Sequence, residues 1–240
     1  MNKNYISSVR LSSMVSEASY LAKLPVVQYL KKTELPFSKP VTFLVGENGT
    51  GKSTLLEAIA VAYGFNAEGG TKNFNFSTED THSELHKHLV LCRSAYPKDG
   101  FFLRAESFYN AASYINELGD LAPNYGGKSL HEQSHGESFL ALVQNRFHGK
   151  GLYILDEPEA ALSPARLFSL LVCMHNLVLK DSQFIIATHS PILMAYPKAE
   201  VYELTAGGIC SVDYKDTEHY QLTRCFLENP EKMLHYLLEQ

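Results

Sequence analysis

The sequence predicts an α/β domain with a mainly parallel central sheet and a small antiparallel β cap. Three observations lead to it. Apolar runs at 41–45, 151–155 and 184–187 are short and almost continuously hydrophobic, as strands buried on both faces should be. Each run ends in a polar cluster, and stretches with helical apolar spacing lie between the runs, so strands alternate with helices and run the same way. At 240 residues the chain has a length that one α/β domain commonly fills, so residues 1–240 are read as a single domain.

Taken in order, residues 5–11 read as a strand. Residues 20–35 mix apolar and basic side chains around Pro25, so the first forty residues predict a small strand-rich cap. The β-branched run Val41 to Val45 then enters Gly46-Glu47-Asn48-Gly49-Thr50-Gly51-Lys52-Ser53-Thr54. Leu55, Leu56 and Ile59 follow at helical spacing. Strand, glycine-rich loop and helix form the setting of the phosphate-binding motif G-x-x-x-x-G-K-[ST]. Its glycines let the backbone curl until successive N–H groups converge, and the helix adds its positive end at the same point. Such a concavity suits the polyphosphate of a nucleotide. Lys52 can meet the β- and γ-phosphates as a point charge, and the Ser53 hydroxyl is a hard oxygen ligand for Mg²⁺.

The helix should end near Gly64. A Gly-, Asn- and Thr-rich segment at 67–81 contains Asn73-Phe74-Asn75-Phe76, an alternation that predicts an exposed hairpin strand or flap. His82, His86 and His88 fit either a metal site or a solvated helix. No Cys or carboxylate completes a ligand set, which favours the helix. Phe101 to Arg104 reads as a buried strand ending in Ala105-Glu106-Ser107, with a helix to Ile115 and a Gly- and Pro-rich loop at 119–133. Beyond it, Ser134-His135-Gly136-Glu137-Ser138 opens a helix whose Phe139, Leu140, Val143 and Phe147 share a face. Ser134 as N-cap with Gly136 makes either a second anion-binding helix end or simply a capped helix.

The run at 151–155 leads into Asp156-Glu157-Pro158-Glu159, which sets two carboxylates at the carboxyl end of a central strand, the edge where such sheets bind ligands. Ser163-Pro164 reads as the cap and first-turn pair of a helix with Leu167, Leu170, Leu171, Met174 and Leu177 facing the core. The run at 184–187 ends in Thr188-His189-Ser190, leaving the sheet at the same edge, before Pro191 opens another helix. A hairpin turning at Gly207-Gly208 and two short helices complete the chain. The last starts at Asn229-Pro230 and aligns Met233, Leu234, Leu237 and Leu238, a face expected to pack on the body or on a partner.

Composition excludes several classes. Hydrophobic residues make up 45% and charged residues 20%, with no apolar run long enough for a bilayer span, and the amino terminus has no apolar signal core. Cys92, Cys173, Cys210 and Cys225 show no C-x-x-C spacing and are expected to be reduced, buried thiols of a cytoplasmic protein. A net charge of −5 argues against broad nonspecific nucleic-acid binding.

In this order, GENGTGKS, SHGES, ILDEPEAALS and ATHS resemble the Walker A, signature, Walker B with D-loop, and switch-histidine motifs of ABC-type ATPases. The resemblance covers nearly the whole chain and is strongest toward small stand-alone bacterial ATPases related to SMC and RecF heads. It implies a P-loop NTPase of the ABC ATPase head type that hydrolyses ATP with Mg²⁺. By that resemblance the P-loop amides and Lys52 hold phosphate and Ser53 holds Mg²⁺. Asp156 holds the metal's water, Glu157 acts as general base, and His189 contacts the γ-phosphate. Ser134 and Gly136 of the signature would cap a γ-phosphate bound by a second copy, giving an ATP-dependent head-to-tail homodimer. Two features depart from the family pattern. His135 replaces a signature glycine, and Glu106 stands near where a Q-loop glutamine is usual, as a candidate metal ligand. Tyr20, Tyr29 and Phe37 are candidates to stack on adenine.

The segment between Ser53 and Ser134 is too short for an SMC coiled-coil arm, and no nuclease or TOPRIM domain is expected beyond residue 240. The expected role is therefore a switch for a separately encoded partner, in DNA repair or defence. The rival is the ATP-binding subunit of a membrane transporter, disfavoured by the missing glutamine and the altered signature. A P-loop kinase is a further rival, opposed by Glu157 beside Asp156.

Overall fold

A computed structural model describes residues 4–71, 83–105, 108 and 135–238. Its strands are β1 (Ile6–Leu11), β2 (Leu35–Pro36), β3 (Val41–Val45), β4 (Leu89–Arg93), β5 (Asp99–Arg104), β6 (Gly151–Asp156), β7 (Gln183–Ala187), β8 (Glu200–Thr205) and β9 (Gly208–Ser211). Its α-helices are α1 (Pro25–Leu30), α2 (Lys52–Tyr63), α3 (His135–Arg146), α4 (Pro164–Leu179), α5 (Pro191–Met194), α6 (Glu218–Glu228) and α7 (Pro230–Leu238).

The three apolar runs become β3, β6 and β7, every residue of which is buried. They lie in a sheet of order β5-β6-β7-β3-β8-β9, parallel throughout except for the antiparallel edge strand β9. Alternation along each strand supplies two cores. Phe43, Tyr153, Phe184 and Ile186 face Phe139, Val143, Leu170 and Met174 on one side of the sheet. Leu44, Ile154 and Ile185 face Leu55, Leu56 and Ile59 of α2 on the other. Covering both faces in this way is what a parallel sheet requires.

The register decides where the chemistry sits. Leu44 and Asp156 are both partnered with Ala187, and Arg104 with Asp156. The chain segments leaving β3, β5, β6 and β7 therefore all leave at one edge. Arg146 at the end of α3 donates to Asp99 over 2.7 Å, and the Tyr153 hydroxyl donates to the same carboxylate over 2.8 Å, which fixes α3 to the opposite edge.

The cap is antiparallel, in the order β2-β1-β4. It differs from expectation in two ways. Residues 20–23 and 25–30 are helical, because Pro25 suits the first turn of a helix and Ser19 caps the turn before it. The cap's third strand, β4, comes from beyond α2, outside the first forty residues. The Gln183 side chain ties the cap to the sheet, accepting from the amides of Tyr5 and Ile6 at 2.8 and 2.9 Å and donating to the Ile6 carbonyl at 2.8 Å.

Other expectations also need correction. Leu234, Leu237 and Leu238 of α7 are 41%, 59% and 76% exposed, so this face does not pack on the body of the chain. Cys210 and Cys225 are exposed, while all four cysteines are free. Ser163 precedes α4, but its side chain makes no capping hydrogen bond. The Asn73–Phe76 alternation, His82, the helix through Ile115 and the loop at 119–133 lie outside the described residues. His86 and His88 sit in a 3₁₀ turn, bonded to the Ser83 carbonyl and to Ser13, and no metal-binding cluster occurs among the described residues. No helix among them is long and apolar enough to cross a membrane.

One close approach locks the loop after β3 to the neighbouring strand. Gly46 has φ +130°, and a Cβ there would lie 2.1 Å from the Leu204 carbonyl oxygen. Gly49, at φ +84°, has nothing within 4 Å of a Cβ. Gly46→Ala should lower stability by about 3 kcal/mol through strain and overpacking, whereas Gly49→Ala should cost about 1 kcal/mol of backbone strain alone. Urea unfolding of the two variants measures the difference.

Candidate functional site

The loop between β3 and α2 curls as its glycines allow. Gly46, Gly49 and Gly51 all have positive φ, and Gly51 forms the N-cap of α2. The Thr50 hydroxyl donates to the Glu47 carbonyl over 2.8 Å and holds the curl closed. Lys52 is buried and turns back into the loop, donating to the carbonyls of Gly46 at 2.7 Å and Glu47 at 3.1 Å. Burial pushes its ammonium below the ordinary lysine value, while Glu157, Asp156, Glu47 and Glu159 pull the other way.

A cavity of about 130 Å³ lies on this loop, lined by Leu24, Asn48, Gly49, Gly51, Lys52, Ser53, Thr54 and Glu157. Backbone amides at a helix start, a buried cation and two hydroxyls make a donor set for a polyphosphate, and the Ser53 hydroxyl beside Glu157 suits a hard divalent cation. These residues fit ATP and Mg²⁺. A wider cavity of about 450 Å³ flanks the loop and is lined by Pro25, Glu47 and Asn48, with Glu203, Thr205 and Glu218 on its far side. Leu24 and Pro25 were not singled out in the sequence, where a cap residue gives no sign that it will abut the loop. Of the aromatic candidates, Phe37 is buried in the core, and none of Tyr20, Tyr29 and Phe37 lines either cavity.

Asp156 ends β6, and the chain then turns sharply. Glu157 adopts φ 49°, ψ 52°, a left-handed conformation that is uncommon outside glycine. Its amide donates to the Ala187 carbonyl over 3.0 Å, so the neighbouring strand end holds the turn. This kink stops Glu157 from continuing the strand and directs it to the loop cavity. His189, leaving β7, has its Nε2 3.5 Å from Glu157 Oε1, and its amide donates to the half-buried Glu159 carboxylate. Burial, then Lys52 and His219, push the imidazole below its ordinary value, while Glu157 and Glu47 oppose them. His189 is therefore a neutral ring at neutral pH. Burial also pushes the Glu159 carboxyl up.

The structure thus brings Lys52, Ser53, Asp156, Glu157 and His189 to one edge. Gly136 is buried elsewhere in the same chain, where a Cβ would meet Arg166 Nη1 at 2.6 Å and the Ala161 carbonyl at 2.9 Å. Ser134 and Glu106 lie outside the described residues. Arg104, read only as a strand end, lies with Nε 3.5 Å from Asp156 Oδ2 and Nη1 2.7 Å from Glu57 Oε2. Glu57 is the α2 residue that faces it, and it also accepts the Ser83 amide at 2.8 Å.

A glycine-rich phosphate loop at the carboxyl edge of a parallel sheet, with Asp-Glu at the end of one neighbouring strand and His at the end of the other, defines a P-loop NTPase of the ABC ATPase head type. Comparison with known proteins agrees. Residues 26–98 match the AAA domain family, and residues 137–195 match a second AAA domain family, described with an AbiEii toxin of a Type IV TA system. The two matches, each over part of the chain, support an ABC-type AAA ATPase. The ribose import ATP-binding protein RbsA of Yersinia pestis bv. Antiqua is 31% identical over 207 residues, 74% of this chain and 38% of that protein. The xylose import ATP-binding protein XylG of Moorella thermoacetica is 26% identical over 192 residues, 70% of this chain and 37% of that protein. The chain thus spans less than two-fifths of the length of these curated relatives. Among solved structures, cbiO1 from Clostridium perfringens, part of an ABC transporter complex, shares the fold with TM-score 0.51 and 18% identity, covering 99% of this chain and 100% of that one. An inward-facing metal-chelate type ABC transporter gives TM-score 0.52 at 16% identity, over 95% and 90%.

Arg104→Met should leave Glu57 buried without its cation and lower stability by about 3 kcal/mol. Adding Glu57→Gln, which keeps an acceptor for Ser83, should recover part of that loss in urea unfolding.

Proposed function

We propose that residues 1–240 act as one ATPase domain whose two copies close head to tail on two ATP molecules, and that hydrolysis reopens the pair and switches a separate partner, in DNA repair or defence. The observation that carries this reading is the one-sided site. None of the described residues lining the loop cavity comes from α3, although the signature at its start is the second anion-binding motif in the sequence. A second copy supplies the missing side, through Ser134 and Gly136.

In that complex, Lys52 exchanges the carbonyls of Gly46 and Glu47 for β- and γ-phosphate oxygens, and the amides from Glu47 to Thr54 hold the same groups. Mg²⁺, held by Ser53 and through water by Asp156, with Glu106 a further candidate ligand, would neutralise phosphate charge. Glu157 takes a proton from the attacking water as its oxygen bonds to the γ-phosphorus. The bond to the bridging oxygen breaks, and ADP leaves with the electron pair. Neutral His189 donates to the γ-phosphate without adding a charge that Lys52 would repel.

A second reading, the ATP-binding subunit of a membrane transporter, is supported at least as well by the 31% identical import protein. It uses the same site and differs only in the partner. Purification of the Glu157→Gln protein with ATP separates the two readings. Capture of a protein rich in membrane spans favours the transporter, and capture of a soluble protein or nucleic acid favours the switch.

Lys52→Ala should lose ATP binding in calorimetry. Glu157→Gln should keep binding and lose turnover by about 10²-fold or more, because an amide cannot take the water's proton. Ser134→Arg, filling the anion site, should bind ATP and not hydrolyse it. Mixed with Lys52→Ala, it should regain phosphate release with a maximum near equal amounts, since the mixed pair contains one intact composite site. If mixing restores nothing and Glu157→Gln stays monomeric in light scattering with ATP and Mg²⁺, the head-to-tail pair is wrong.

A further inference from the structure

His219 belongs to none of the motifs, yet it touches the site. It lies in the first turn of α6, and its Nε2 is 2.7 Å from Nδ1 of His189. The two ring centroids are 4.8 Å apart at 54°, so the contact is an edge-directed hydrogen bond rather than a stack. Its position is fixed from below. Thr217, fully buried, caps α6 by accepting from Tyr220 at 3.4 Å, and its own hydroxyl donates to the Tyr214 carbonyl at 2.7 Å. The Glu218 amide donates to Glu203 on β8 over 3.2 Å.

The proton positions follow from what surrounds the pair. A neutral imidazole carries one hydrogen, and whichever nitrogen holds it must face an acceptor. His189 Nε2 faces the Glu157 carboxylate at 3.5 Å, so that nitrogen carries the hydrogen and Nδ1 is bare. A bare Nδ1 at 2.7 Å from another ring nitrogen needs a donor, so His219 carries its hydrogen on Nε2. His219 Nδ1 is then bare as well, which suits its surroundings. That atom is buried with no hydrogen-bond partner among the described residues, and a proton there would be a buried, unpaired donor. The reverse arrangement would set a bare His189 nitrogen against a carboxylate. Lys52, close enough to oppose a positive charge on His189, further favours the neutral form of that ring.

We infer that His219 is a positioning residue whose Nε2–H holds His189 in the tautomer that presents Nε2–H to Glu157 and the γ-phosphate. The inference rests on the reading of His189 as the γ-phosphate contact. It assigns to α6 a part in hydrolysis that none of the sequence motifs marks. A ring held only by packing would sample both tautomers and both flips, and the tautomer with Nδ1–H would turn a lone pair toward phosphate.

The test is nitrogen-15 NMR of histidine-labelled protein together with steady-state kinetics. In the wild type, His189 should show a protonated Nε2 and a bare Nδ1. His219→Ala should give a mixture of tautomers and lower kcat about tenfold, the worth of one hydrogen bond, with KM for ATP unchanged. His219→Gln, whose amide N–H reaches the same nitrogen, should restore both the single tautomer and most of the turnover. A wild-type His189 protonated at Nδ1 overturns the inference. So does an unchanged tautomer in His219→Ala, or a Gln variant no better than Ala. His189→Ala is the separate control. If it keeps full turnover, the γ-phosphate role fails, while the tautomer measurement still decides what His219 does.

Discussion

The parallel register of β3, β7, β6 and β5 is the constraint on which the site depends. Leu44, Ala187, Asp156 and Arg104 fall in one row across the sheet, so the first residues beyond each strand emerge side by side. No single strand makes the site. A slip of one residue in β6 would turn Asp156 to the other face of the sheet and take Glu157 from the loop cavity. The full burial of β3, β6 and β7 guards against this, because a slip would exchange the residues packed in the two cores. Gln183, bonded to Tyr5 and Ile6, pins the other end of β7 and carries the same alignment into the cap.

Around that row, polar groups are joined so that each charge has an opposite or a donor nearby. Glu57 reaches Arg104 from α2, and Arg104 reaches on to Asp156. Glu159 accepts the His189 amide, and His189 leans on His219. Partly buried networks of this kind restrict how far any one member can move, which keeps Glu157 and His189 aimed before a ligand arrives.

Much of this was legible because it is local. The phosphate loop is a run of adjacent residues with fixed spacing, and Asp156, Glu157 and His189 each follow directly on an apolar run that announces a buried strand. What was not legible depends on distant pairing. Leu89–Arg93 is a half-buried strand whose place is set by β1, far earlier in the chain. Residues 25–30 are too few to show a helical period, so no helix stood out within the strand-rich cap expected of the first forty residues. His219 sits on a helix with no buried residue and gains meaning only from a ring thirty positions away. The apolar periodicity of α7 is real, but periodicity reports a face without saying what covers it.

Lys52 shows how the loop treats small ligands. Its ammonium already donates to the carbonyls of Gly46 and Glu47. Any newcomer must outbid two good acceptors before it gains anything from the lysine. The resting shape of the cavity is thus set by the loop's own backbone, which keeps the lysine folded in until something replaces both hydrogen bonds.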